Sequence, residues 1–302
     1  MLLTMANGQL ALTLLPELGG CIASLQAYAG GQWVDVLRPT PPHTTNPSHT
    51  SSFLMLPWAN RIAEGRFTFE GHTYQLQTTR DDGTARHGDV RARPWHVLQS
   101  DAYVQSLVFE SRQHEGVNWP FDFAAQQIFT LHDNQIRVMT AIFNRGTSPM
   151  PAGFGHHPYF VRPSDPAGLS VTIPAAAYFP LNEAFLPLGN VQPVPPMLDF
   201  RTSRPVEGDG YNHLLTQIDH RQPIVLAYHA LGLRVRIELE PAYKHVLIFT
   251  PAGEPSVAVE PMTMATNAHN LRLDPDITGL WTIPPNGHRT ATFTLTVEPL
   301  TP

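Results

Sequence analysis

The stretch TATFTLTVEP, residues 290–299, alternates without a break: Ala291, Phe293, Leu295 and Val297 on one side, threonines on the other. Side chains in an extended chain point to opposite faces in turn, so a period of two marks a strand with one buried face. LRVRIELE (233–240) repeats the pattern, with Leu233, Val235, Ile237 and Leu239 set between arginines and glutamates. RFTFEGHTYQL (66–76) reads as a hairpin turning near Glu70-Gly71, and AQQIFTLHDNQIRVMTAIFN (125–144) as a second one turning at Asp133-Asn134. VLIFT (246–250) and VAVE (257–260) are continuously apolar, as expected of strands covered on both faces. Helical periodicity is almost absent. The 30 prolines and 21 glycines are spread along the chain, which suits many short strands joined by turns.

These patterns predict an all-β protein, a large antiparallel β-sandwich. No repeat, low-complexity tract or shift in composition divides the chain, so one domain over 1–302 is expected. Irregular stretches at 37–52, 78–94 and 180–212 are long for loops in a compact protein, and loops of that length are usually functional or flexible.

Composition excludes several classes. The net charge is −6 and the only lysine is Lys244, with no basic patch interleaved with aromatics, so nucleic acid is not an expected partner. No apolar run is long enough for a membrane helix, and MLLTMANGQL does not read as a secretory signal. A single cysteine, Cys21, leaves no internal disulfide framework and no thiolate cluster. A cytoplasmic protein is the simplest expectation. There is no phosphate-cradling glycine loop and no nucleophile elbow. The 15 histidines include no HxH or HExxH around His156-His157, so no metal site is expected.

Three segments place ionisable residues beside strand-like runs: LPWANRIAEGRF (56–67) with Arg61, ARHGDVRARPW (85–95) with His87, and VAVEPMTMATNAHN (257–270) with Glu260. A fourth, GFGHHPYF (153–160), holds two adjacent histidines. If it is extended, His157 and Tyr159 share one face and His156 and Phe160 the other. A carboxylate ending a buried strand is costly unless it is hydrogen-bonded or used in chemistry. Taken singly, Glu260 fits a structural carboxylate as well as a catalytic one, and His157 fits a satisfied core histidine. Trp58 and Trp95 fit core residues better than sugar platforms. Spacing alone yields an all-β protein in which a His/Glu acid–base pair is one option.

Together the segments resemble the aldose 1-epimerase (galactose mutarotase) family. The likeness begins with NGQLALTLLPELGGCIASL (7–25) and its paired glycines. It continues through NRIAEGRFTFEGHTYQL, HGDVRARPW, HHPYF and VEPMTMATNAHN, in that order, across essentially the whole chain. The resemblance implies the galactose mutarotase-like supersandwich, with His157 as general acid and Glu260 as general base. It implies Arg61 and His87 as residues that orient the sugar. Where the family commonly carries aspartate in a Gly-x-Asp-His segment, this chain has GYNH (210–213), putting Asn212 at that position. An amide donates and accepts but lacks the charge that strengthens a carboxylate hydrogen bond. Asn60 and Trp58, beside Arg61, complete the expected substrate-binding set.

The implied activity is interconversion of the α and β anomers of a free hexose by ring opening and reclosure, with no cofactor or metal. The expected partner is a small monosaccharide, and the chain a monomer or homodimer. Two alternatives stand beside it. One is a hexose-6-phosphate 1-epimerase, with Arg86, Arg91 and Arg93 as a phosphate anchor. The other is a sugar-binding sensor without catalysis. A metal-dependent β-sandwich hydrolase is the remaining option.

Overall fold

The computed structural model describes residues 1–78 and 82–300. Positions 79–81, within the irregular stretch expected over 78–94, and the last two positions of the expected 1–302 unit lie outside the described residues. Among those described, the one α-helix is the four-residue turn Pro275–Thr278. Strands do the rest of the architectural work. A nine-stranded sheet runs in the order His96–Ser100, Val104–Glu110, Phe123–His132, Gln135–Asn144, His288–Pro299, Leu233–Leu239, Ile224–Tyr228, Leu169–Thr172 and Arg204–Pro205. An eight-stranded sheet runs in the order Gln192–Pro193, Ala175–Phe179, Asn212–Ile218, His245–Phe249, Ser256–Met262, Gly155–His156 and Leu54–Met55, with Tyr159–Val161 also pairing with Ser256–Met262. A four-stranded sheet is built from the N-terminal strands Leu3–Ala6, Leu10–Leu15, Cys21–Ala29 and Gln32–Asp35. The ladders of all three sheets are antiparallel.

Both sequence hairpins are present at the expected turns: Arg66–Phe69 pairs with His72–Gln75, and Phe123–His132 with Gln135–Asn144. Leu233–Leu239 buries every second residue. Ser256–Met262 is buried at all seven positions, as a continuously apolar strand covered on both faces should be. One expectation needs correction. The threonine face of 290–299 is not wholly open, because Thr292 and Thr296 are buried along with Ala291, Phe293, Leu295 and Val297. That strand is the fifth of nine in its sheet and is flanked by neighbours on both sides.

The two large sheets meet face to face through apolar side chains, and burying such area at about 25 cal/mol per Å² is the main stabilising term. His156 and Phe293 cross this interface with ring centroids 5.0 Å apart, and Tyr243 and Phe293 with 6.0 Å. The opposite face of the eight-stranded sheet is the floor on which the candidate site is built.

Candidate active site

Alternation across the eight-stranded sheet decides which side chains share its outer face. His156 sits opposite Leu54 and Gly155 opposite Met55, so His157 falls opposite Phe53, whose carbonyl accepts the His157 amide at 3.0 Å. On the other side Gly155 faces Met262 and Tyr159 faces Ala258, which puts His157 directly across from Glu260. Pro158 interrupts the ladder between them, but the register on either side is the same. Glu260 in turn pairs with Leu247. Two residues along, Tyr159, Ala258, Phe249 and Asn212 form a second row. Phe53, His157, Glu260, Leu247, Tyr159, Phe249 and Asn212 all line one cleft of about 310 Å³.

The wall comes from loops and a short ribbon. Arg61–Ile62 pairs with Ala85–Arg86, so Arg61 and Arg86 are cross-strand neighbours of like charge. Such a pair repels unless an anion lies between. Asp82 provides it, 3.6 Å from Arg61 Nε and 3.7 Å from Arg86 Nη1. Asn60 lies in the left-handed region (φ 54°), which asparagine tolerates; its side chain accepts from Arg61 Nη1 at 2.8 Å. Its carbonyl accepts the His87 amide at 2.6 Å. His87 is also left-handed (φ 62°), a strained state for a histidine and one that clusters at functional sites. Gly88 follows at φ 67°, where a Cβ would stand 2.2 Å from the Leu56 carbonyl oxygen, so only glycine lets the loop press this close. The segment after Glu260 closes the frame, since the Asn267 amide donates to the Arg61 carbonyl at 2.8 Å.

His157 Nε2 lies 3.1 Å from Glu260 Oε1, and both side chains are buried. Tyr159 stacks beside the imidazole at 4.4 Å between centroids, and its hydroxyl is 3.5 Å from Nε2. Burial holds the His157 imidazole well below its usual range, and the guanidiniums of Arg38 and Arg91 push the same way. Burial raises the Glu260 carboxyl well above the ordinary carboxylate range, while Arg61 and Arg86 oppose that rise. A dry site therefore favours the uncharged arrangement with one proton between the two groups, and the arginines favour the ion pair. Arg61 is itself affected, its pKa lowered by burial and by Arg86 to about 10. His87 is held well below its usual range by burial, then by Arg91 and by His157, whose ring meets it edge to face at 5.5 Å.

At this cleft the buried atoms His157 Nδ1, Glu260 Oε2 and Arg61 Nε have no hydrogen-bond partner among the described residues, although Arg61 Nε is ion-paired with Asp82 at 3.6 Å. Each such atom is expensive inside a protein, and their clustering at one cleft is what a polar ligand would satisfy.

Of the expected site residues, His157, Glu260, Arg61, His87, Asn212 and Asn60 come together in this cleft. Trp58 does not. It is fully buried, stacked on Trp119 at 5.4 Å, with its indole N–H on the Ala85 carbonyl at 3.3 Å. It is a core residue that braces the Arg86 strand from behind. Of the arginines considered as an anchor, Arg86 lines the cleft and Arg91 donates to Ser48 Oγ at its wall at 2.8 Å. Arg93 instead is tied to Asp89 and to the carbonyls of Glu115 and Gly116. Sequence reasoning missed Asp82, Ser48, Phe53, Leu247, Phe249 and Phe185. Tyr159 was visible only as a residue sharing the His157 face. Among the described residues no group of three or more His, Cys, Asp or Glu side chains is placed to hold a metal ion, and no helix is long and apolar enough to cross a membrane.

The same architecture recurs in known proteins. A galactose mutarotase-like protein from Clostridium acetobutylicum superposes with a TM-score of 0.88 at 20% identity, over 98% of this chain and 94% of that one. A proposed aldose 1-epimerase from Escherichia coli K12 gives 0.87 at 25% identity, over 99% of both chains. In sequence, the chain is 27% identical over 256 residues to YphB, an uncharacterized protein of E. coli K12, covering 82% of this chain and 84% of that one. It is 26% identical over 193 residues to the galactose mutarotase of Rattus norvegicus, covering 59% of this chain and 55% of that protein. The sequence profile described as aldose 1-epimerase matches residues 1–296. On that match the chain belongs to the aldose 1-epimerase family.

Proposed function

We propose that this protein interconverts the α and β anomers of a free hexose. The observation that carries the reading is the contact of His157 Nε2 with Glu260 Oε1, 3.1 Å apart at the floor of a sugar-sized cleft. Mutarotation moves two protons in opposite directions at two oxygens bonded to the same carbon, the anomeric hydroxyl and the ring oxygen. An acid and a base that touch one another can reach both oxygens of one anomeric centre.

In the productive state Glu260 is a carboxylate and His157 an imidazolium. Glu260 takes the proton of the anomeric hydroxyl, the bond between the anomeric carbon and the ring oxygen breaks, and His157 protonates the departing ring oxygen. The open aldehyde turns about the bond between its first two carbons. Reclosure on the other carbonyl face returns the proton from Glu260 to the new anomeric oxygen, and His157 recovers its own from the attacking hydroxyl. The cycle ends where it began, with no net proton change. The open-chain state leaves both groups uncharged, the form that burial favours, so the site does not resist the first half-reaction. Positioned acid–base groups supply about 10²–10⁴-fold, enough for so undemanding a step.

Arg61, His87, Asn60 and Asn212 hold the hydroxyls. Asn212 starts the strand Asn212–Ile218 beside Phe249, and its neutral amide suits a hydroxyl that must both donate and accept. Polarimetry on freshly dissolved α-glucose and α-galactose tests the reading; rates no faster than in buffer would reject it. A second reading, a phosphorylated hexose, is favoured by Arg86 at the cleft and Arg91 on Ser48 at its wall. Comparing rates on free and 6-phosphorylated hexoses separates the two.

A further inference from the structure

We propose that Phe185 is the platform on which the sugar ring stacks, a role resting on the sugar reading above. Of the large apolar side chains exposed among the described residues, Phe185 alone lines the cleft. It remains 41% exposed and occupies the left-handed region at φ 59°, where a bulky residue is rare. Two costs fall on one residue: the turn that carries it sets the left-handed φ, and the exposure of a large apolar ring toward the cleft has no counterpart in the core.

The loop around it is built to hold that position. Asn182 accepts the amides of Ala184 and Leu186 on its side chain, each at 3.0 Å, and the amide of Phe185 on its carbonyl at 2.9 Å. The Asn182 amide donates back to the Leu186 carbonyl at 2.9 Å. Four hydrogen bonds on one asparagine close a tight turn and hold the backbone that carries the ring before any ligand arrives. The guanidinium of Arg61 lies 5.2 Å from the ring centroid and orients it further.

The chemistry of the opposing surfaces points to a pyranose. The floor offers polar atoms without partners, which suit hydroxyls. A pyranose also carries a face of C–H groups, whose positive edges match the negative face of an aromatic ring. An anionic ligand without an apolar face would gain nothing from an exposed phenyl ring at the mouth.

The test reads binding apart from catalysis. The probes are 1-deoxyglucose and 1-deoxygalactose, which keep the pyranose ring and cannot mutarotate, titrated calorimetrically into the full chain. Phe185→Ala should weaken at least one of them about tenfold, the scale of one aromatic contact. Phe185→Trp should restore most of the affinity, and Asn182→Ala should weaken it without touching the ligand. Phe185→Ala should leave the melting temperature unchanged, since the side chain is exposed. Equal affinity of wild type and Phe185→Ala, no binding by the wild type, or failure of Trp to restore it would overturn the platform. Binding by the wild type without acceleration of mutarotation would reject the enzymatic reading alone.

Discussion

His156 and His157 are neighbours in the chain and opposites in environment. His156 points into the space between the two large sheets, where its Nε2 meets Thr140 Oγ1 at 3.0 Å and its ring packs on Phe293. His157 points out of the same sheet toward Glu260. One residue fastens the strand to the core, and the next lines the cleft.

Replacing Glu260 with Gln or His157 with Asn keeps shape and removes the proton exchange. Each variant should lose about 10²–10⁴-fold in kcat while remaining folded, as judged by circular dichroism and polarimetry on the same sample. Near-normal kcat in either would show that the pair is not the acid and base.

The pH profile should be a broad plateau that includes neutrality. The reaction needs one proton on the pair. Burial lowers His157 and raises Glu260, so both the doubly protonated and the fully deprotonated forms are pushed to the extremes. Initial rates of mutarotation, corrected for the spontaneous reaction, should fall on both limbs. A single sharp limb near the ordinary histidine pKa of about 6.5 would mean that His157 titrates as an exposed group.

Gly88→Ala should destabilise the protein by about 2–4 kcal/mol and raise KM, because the new methyl collides with the Leu56 backbone beneath His87. Gly83, at φ 70° with open space around it, is the control and should cost only about 1 kcal/mol. Urea unfolding distinguishes them, and equal costs would place the constraint in the dihedral angle alone.

Burial lowers the pKa of His156 to about 3 from an unperturbed 6.5. The folded protein thus keeps this residue neutral where the unfolded chain would protonate it. Its contribution to stability is complete above pH 6.5 and is lost as the pH falls toward 3. Each such histidine steepens the fall by about 1.4 kcal/mol per pH unit. His156→Gln should make the slope of unfolding free energy shallower by that amount in this window. An unchanged slope would mean that His156 titrates alike in both states.

Much of the framework was legible because the patterning of apolar residues is a local property: the hairpins at 66–76 and 125–144 and the strand at 233–240 follow from alternation and turn residues, and the buried strand from the continuous apolar run at 257–260. The same alternation put His157 and Tyr159 on one face. What the local pattern could not supply was partnership. That Glu260 lies across from His157 depends on the register between two distant strands, and only the family resemblance brought the two residues together. Trp58 was misplaced for a related reason: it sits two residues before Asn60 in sequence but stacks on Trp119, which no local pattern links to it. Phe185 and Asp82 belong to stretches without periodicity, so nothing in the sequence distinguished them from ordinary loop residues.

The facing of His157 and Glu260 across adjoining strands separates what this fold must preserve from what it is free to vary. A slip of one residue between those strands would send one of the two groups to the far side of the sheet. Their meeting is therefore as durable as the most deeply covered ladder in the molecule. Arg61, Arg86, His87 and Phe185 arrive from a two-rung ribbon and from turns, where exchanges leave that ladder untouched. On the proposed reading, proton transfer rests on the central ladder of the scaffold, and the choice of sugar on its margins.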